Sequence, residues 1–501
     1  MSIIPFQSKF DKDFPVVIGN AEYNAECELL KAMDSVIAAS GMEETFIKYA
    51  LDVGYVNKAI SLFGTGKSSR LTAKEIEAIR ENAIFALRAS ILRKHLRLPL
   101  RRFVLALSHS DLYKWFCRIN RFSTPKVPGK STIHEYENMI PVEVTKALDA
   151  QLQKFVQSDT CSLLDEPVDF SQCYLDSTCI QANIHFPVDW VLLRDAVRSM
   201  MLAVQRIRKL NLKNRMPMAP KEFISKMNKL CIEMTHTRRK KDGKRKRKAI
   251  FRKMKKLAKV VAGHAIRHFE LLDKQWEQTG LSRKQAEQIL RQISNVVDKL
   301  ATAIKNAHER IIGERQVANK DKMLSLYEDA VYVIVRNKSG AEVEFGNTLL
   351  LAEQQDGLIV DWKLFPEQAP SDSKLLQDSH KRITGRLDNA IRLVAGDRNF
   401  DSEANRGYLQ AEDIFNAVCP REPNLLQSRL EEDLFCQGQR RRGQTEGRIS
   451  ILGRCFCGNP MVQKGFDHRE QHLGLSILCH NVWLLGRMKI SQDKQALAKV
   501  A

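Results

Sequence analysis

Apolar positions recur at helical spacing in three long stretches of the chain, and between them the pattern changes to short apolar runs of strand type. From Leu71, LTAKEIEAIRENAIFALRASILRKHL places Ile76, Ile79, Ile84, Leu87 and Ile91 near one face. Thr72 and Glu75 stand at capping-box spacing ahead of it, and the length predicts a helix of about five turns. Shorter helical segments follow at 101–107, 111–119 and, past Pro125 and Pro128, at 131–140, where Thr132 and Glu135 repeat the capping-box spacing. Another amphipathic segment covers 143–158. Short helices divided by tight turns, with Arg121, Lys126 and Lys130 at their ends, fit two arrangements. One is a helix-turn-helix-like DNA reader; the other is a plain bundle with Trp115 and Phe116 in its core.

Near residue 170 the pattern shifts. The run 172–178, QCYLDST, reads as a short strand ending in an acid, Asp176. Residues 188–325 return to helical periodicity, with Ile289, Ile293, Val296, Val297, Leu300, Ile304 and Ile311 marking one long amphipathic helix. Strands resume at 331–336, 343–352 and 358–364, divided by Ser339-Gly340 and Asp356-Gly357, the second a hairpin signal. A helix over 373–387 precedes a buried strand at 391–395 that stops at Gly396 and Asp397. A helix at 401–410, a strand at 414–419 and an apolar final helix at 473–488 complete the pattern. The organisation expected is a helical DNA-binding region over 1–160 and an α/β region made of 161–187 and 326–490. A basic helical insertion over 188–325 interrupts the α/β region.

Charge narrows the function. The 501 residues are 44% hydrophobic and 28% charged, which is ordinary for a globular protein, but 80 Lys and Arg stand against 59 Asp and Glu, a net charge of +21. That balance favours a polyanion such as DNA or RNA. The densest basic run, 238–259, carries a single acid, Asp242, and sits between helices. Its Arg238, Arg239, Lys240, Arg245, Lys246 and Arg247 are candidate phosphate contacts, as is Lys130; a nuclear-localisation signal is the other reading of such a run. Eleven cysteines with no C-x-x-C pair read as reduced thiols, and Cys455 and Cys457 with His468 and Cys479 lack zinc-site spacing. The GTGKS segment at 64–68 lacks the first glycine of a phosphate-binding loop. The first residues carry no apolar signal core and no window reaches a membrane span, so a cytoplasmic protein with no membrane partner is expected.

One stretch concentrates the chemistry. In 440–454, RRRGQTEGRISILGR, Glu446 is the single acid among five arginines. An ionised carboxylate in positive surroundings suits a divalent cation, and the arginines suit a polyanion. Asp176 and Asp397 are the partners that the strand pattern offers. The element order is that of an α/β ribonuclease-H-like core with a large helical insertion after its first strand, in which Asp176, Asp397 and Glu446 would converge. Three carboxylates suffice for two Mg²⁺ ions, with Mn²⁺ as substitute, clamping the attacking and leaving oxygens of a phosphoryl displacement. Taken singly, Glu446 could pair with Arg442 one helical turn away, and Asp397 could be a turn residue.

The same blocks carry a family resemblance. Tyr174-Leu175-Asp176-Ser177-Thr178, Asn183-Ile184-His185-Phe186-Pro187, Val343-Glu344-Phe345-Gly346, Gly396-Asp397-Arg398-Asn399-Phe400 and Arg442-Gly443-Gln444-Thr445-Glu446-Gly447 resemble the signature blocks of DDE-type transposases of bacterial insertion sequences. Trp115-Phe116 and Val127-Pro128-Gly129-Lys130-Ser131-Thr132 are similar to their N-terminal domain, so the resemblance covers residues 75–140 and 170–490. It implies metal-dependent cleavage of double-stranded DNA at element ends, strand transfer into target DNA, and a homodimer in a synaptic complex at the bacterial nucleoid. It makes Asp176, Asp397 and Glu446 the catalytic, metal-binding acids and Arg442 a DNA contact, with Arg448 beside it. Relatives carry Tyr and Lys where this chain has Gln439 and Gly453, and Arg454 is the candidate substitute for that lysine. The alternatives are a DNA-binding relative without catalysis and a structure-specific nuclease on the same fold.

Overall fold

Thr72 and Glu75 form the expected capping box: the Thr72 N–H donates to the Glu75 carboxylate (2.7 Å) and the Glu75 N–H to Thr72 Oγ1 (3.3 Å). They start one of seven N-terminal helices in a computed structural model that describes residues 18–63, 71–119, 124–237, 241–338, 341–387 and 391–500. The GTGKS segment lies outside the described residues. The helices are α1 (Ala21–Ala39), α2 (Met42–Phe63), α3 (Ala73–Leu96), α4 (Leu100–His109), α5 (Asp111–Phe116), α6 (Lys130–Asn138) and α7 (Val142–Gln157). The second expected capping box is absent: α6 begins at Lys130 directly after Gly129, whose extended backbone (φ −72°, ψ 168°) turns into the helix and leaves Thr132 inside it. Trp115 and Phe116 are core residues, 1% and 0% exposed.

Strand β1 spans Gln172–Gln181. Asp176 therefore lies in the middle of β1 and not at its end, because antiparallel pairing to a later strand continues through Gln181. Four helices separate β1 from the next strand: α8 (Asp189–Lys209), α9 (Pro220–His236), α10 (Gly243–Gln275) and α11 (Arg283–Ile311). They enclose a core of their own, with Leu193, Val197, Met227, Phe251, Val261 and Ile293 among its members. On α10 the buried Ile250, Phe251, Met254, Leu257 and Ala258 form the inner stripe, which leaves the lysines and arginines of the basic run on the other side.

After the insertion come β2 (Tyr332–Lys338), β3 (Ala341–Glu353), β4 (Ile359–Leu364), α12 (Asp372–Thr384), β5 (Leu393–Gly396), α13 (Glu403–Ala411), β6 (Phe415–Val418), α14 (Pro423–Arg429), α15 (Asp433–Ile451), a π-helical turn at Leu452–Cys457 and α16 (Phe466–Val500). The last helix runs well beyond 473–488, since no Gly or Pro interrupts its polar end. The six strands form one mixed sheet in the order β2-β3-β1-β5-β6, with β4 pairing the second half of β3. Strand β3 is antiparallel to β1, whereas β1, β5 and β6 are mutually parallel. The N-terminal helices share one hydrophobic core with the sheet and α16, through residues such as Phe46, Leu87, Trp115, Leu148, Leu351 and Leu478. A smaller cluster of Tyr174, Leu393, Ala395, Ala417 and Phe435 joins α15 to the sheet. Among the described residues no helix is long and apolar enough to cross a membrane.

Candidate functional site

Helix α15 is seated on the sheet by a small residue and three polar tethers. At Gly438 a Cβ would stand 2.9 Å from the Ala417 Cβ, so only glycine allows this approach to β6 without displacement. Gln439 donates from Nε2 to the carbonyls of Gly396 (3.1 Å) and Ala417 (2.5 Å), tying the helix to the ends of β5 and β6. Arg441 lies over the Tyr174 ring at 4.6 Å and donates to Glu353 Oε1 (2.7 Å) and to the carbonyls of Gln354 (2.8 Å) and Gln355 (2.6 Å). Thr445 Oγ1 donates to the same Glu353 oxygen at 2.7 Å. Arg441 and Thr445 thus occupy the buried side of α15, and Glu446, the next residue, is exposed.

Asp176, Asp397 and Glu446 line one cavity of about 660 Å³. Asp176 comes from the middle of β1, Asp397 from the residue that follows β5, and Glu446 from α15. Burial pushes the Asp176 carboxyl up to about 6; the Ser177 N–H (2.7 Å) and the Arg442 guanidinium oppose the rise, while the charges of Asp397 and Glu446 add to it. The charges of the other two acids are therefore felt at Asp176. Asp397 also keeps a local turn role, accepting from the Asn399 N–H (2.9 Å) and side-chain amide (3.2 Å). The turn that carries it is clamped by Arg421, which donates to the carbonyls of Arg398 (2.9 Å) and Asn399 (3.0 Å).

A fourth carboxylate, Asp372 at the start of α12, lines the same cavity and accepts from Ser177 Oγ at 3.0 Å. Four acids against Arg421 make the lining acidic, and hard carboxylate oxygens are the donor set that Mg²⁺ or Mn²⁺ takes. The donors fit a divalent cation in kind. Among the described residues, however, no three His, Cys, Asp or Glu side chains are grouped closely enough to hold one.

The basic residues distribute differently. Arg442, whose charge reaches Asp176, has a buried Nε with no hydrogen bond among the described residues. Arg448 is held away from the acid cavity: it donates to the Asp356 carbonyl (2.7 Å) and crosses Gly357, whose φ of +98° forms the turn after β3. Arg454 is exposed on the π-helical turn, with its carbonyl bonded by Arg97 (2.9 Å). Arg245 and Lys246 are exposed on α10, Arg247 lines a separate cleft, and Lys130 is exposed on α6. Arg238, Arg239 and Lys240 lie outside the described residues.

Asp372, Arg421 and the Arg441–Glu353 pair escaped the sequence reading. An aspartate after Pro-Ser at a helix start reads as a cap, and Arg441 is one of three adjacent arginines. Their partners are chosen by tertiary packing. No family model, curated protein or solved structure matches this chain.

Proposed function

We propose that the chain is an insertion-sequence transposase with a ribonuclease-H-like DDE core, cutting double-stranded DNA at element ends and joining the freed end to target DNA. The observation that carries the reading is the shared cavity of Asp176, Asp397 and Glu446, three acids far apart in sequence, in which the charges of Asp397 and Glu446 add to the rise of the Asp176 carboxyl. Supporting it is the mixed sheet, β2-β3-β1-β5-β6 with β4 also on β3, in which β3 is antiparallel to β1 and β1, β5 and β6 are parallel, an arrangement compatible with a ribonuclease-H-like core.

In this reading the carboxylates of Asp176, Asp397 and Glu446, which as they stand are not grouped closely enough to hold an ion, would be drawn together around the two Mg²⁺ or Mn²⁺ ions. When bound, the ions supply charge neutralisation at the phosphodiester and acidify water. The protein's own part is positioning. The Ser177 N–H fixes one Asp176 oxygen, Arg421 holds the Asp397 turn, and the Arg441–Glu353 tether sets the height of α15. Arg442, whose charge reaches Asp176, would meet a phosphate oxygen. In the first step a water oxygen bonds to phosphorus as the P–O3′ bond breaks, and the 3′-oxygen leaves as a hydroxyl after taking a proton. In the second step that hydroxyl attacks a target phosphodiester; one P–O bond replaces another, so no external energy source is needed. Two ends must be handled together, which calls for a homodimer at the nucleoid.

The test is incubation with DNA bearing the sequence that flanks the gene, in Mg²⁺ or Mn²⁺. Cut ends and joined products are expected from the wild type, and a loss of at least a hundredfold from Asp397→Asn and Glu446→Gln, the size of effect seen when a group acting in a transition state is removed. Variants that cut like the parent refute the site. Cutting without any joining converts the reading to a structure-specific nuclease.

A further inference from the structure

The first turns of α10, the last turn of α11 and the connection 312–322 enclose a cleft of about 1020 Å³. Six cations line it, Lys244, Arg247, Lys248, Arg310, Arg315 and Lys322, against a single acid, Glu314. Three of the six have partners outside that acid: Arg310 with Asp189 (3.1 Å), Arg315 with Glu309 (2.5 Å) and Lys322 with Asn319 Oδ1 (2.7 Å). The other three are Lys244, Lys248 and Arg247. Lys244 (3.3 Å) and Lys248 (2.8 Å) each take a different oxygen of Glu314, and Arg247 Nε is buried with no hydrogen bond among the described residues.

Glu314 itself is held at a cost. Its φ of +54° is left-handed, a conformation that residues other than glycine rarely adopt, and Lys248 and Lys244 draw its carboxyl below the usual carboxylate range. One carboxylate shared by two ammoniums through separate oxygens has the form of a phosphodiester gripped by its two non-bridging oxygens. The cleft is also not isolated, because Asn319 lines both it and the acid cavity.

We infer that this cleft is the track of the DNA strand continuing from the acid cavity, and that Glu314 stands in for one backbone phosphate and is displaced when the strand enters. The inference rests on the reading of the acid cavity as the cutting centre. A strand fits better than a small free anion, because the cations extend beyond what one phosphate could engage and the cleft meets the acid cavity at Asn319. The residues beyond Arg247 were not evident from the sequence: Arg310, Arg315 and Lys322 lie outside the basic run and join it only through the fold.

The full-length protein in EDTA, titrated with a fluorescein-labelled DNA duplex of about three helical turns over a salt series, tests this. Glu314→Gln is expected to bind roughly threefold tighter, the size of one exposed ion pair, a gain that misfolding cannot mimic. Lys248→Ala and Arg247→Ala are expected to weaken binding and each to lower the slope of log affinity against log salt by about one. Inorganic phosphate at matched ionic strength should displace the duplex no better than chloride. Unchanged affinity in Glu314→Gln, wild-type slopes in the other two variants, or selective displacement by phosphate would each overturn the strand assignment. If Asp397→Asn stops cutting while Glu314→Gln and Lys248→Ala bind as wild type, the cleft inference fails alone; if Asp397→Asn cuts normally while those variants bind differently, the acid-cavity reading fails alone.

Discussion

Asp176 carries a conflict between folding and the chemistry proposed for it. Its carboxyl, at 3.8 in an unfolded chain, is pushed up to about 6 in the fold, first by burial and then by Asp397 and Glu446. The folded state therefore binds a proton more tightly than the unfolded state. Its relative stabilisation is complete below pH 3.8 and is lost as pH rises to about 6, a loss on the order of 3 kcal/mol. Asp176→Asn removes the titrating group. In metal-free urea unfolding at pH 8 the variant is expected to be more stable than wild type, with the difference vanishing by pH 4. Added Mg²⁺ should stabilise only the wild type, because a ligand stabilises the state that binds it. A variant that is less stable at pH 8, or equally helped by Mg²⁺, would contradict this account of the carboxyl. Cutting activity should fall as pH drops through about 6, where Asp176 takes up its proton.

Helix α15 is the element on which the site depends, and its anchor is buried: Arg441 is 7% exposed and Glu353 is fully buried. Removing one partner of such a pair leaves an uncompensated charge at a cost of about 3–5 kcal/mol, whereas an apolar replacement of both is nearly neutral. Arg441→Met is expected to lower the urea midpoint by that measure and Arg441→Met/Glu353→Leu to recover most of it. A single variant as mild as the double would show that the pair does not anchor the helix. The acid on this helix was legible in the sequence, because Glu446 stands alone among arginines. So was Asp397, at the end of a short apolar run, and the helical period of α3 and α11. The anchor was not legible: Glu353 closes an apolar strand with no local sign that an arginine far along the chain would meet it. The extent of β1 was hidden for the same reason. Its continuation past Asp176 to Gln181 exists only through pairing with β3, which the chain reaches after the whole insertion.

Across the whole molecule, opposite charges are sorted into adjoining places. The net charge of +21 coexists with an acidic cavity of four carboxylates beside a cleft of six cations, the two meeting at Asn319. Composition alone favours a polyanion, but neither place could be drawn from it, since the acidic cavity joins β1 to elements that follow the insertion and the cleft joins the start of α10 to the end of α11. The central claim is that Asp176, Asp397 and Glu446 together hold divalent cations beside bound DNA. Titration with Mn²⁺ followed by electron paramagnetic resonance, with a DNA duplex present, addresses it directly by comparing the wild type with Asp176→Asn/Asp397→Asn/Glu446→Gln. The account predicts loss of the free Mn²⁺ signal on binding to the wild type and no such loss with the triple variant; equal binding by both proteins would contradict it.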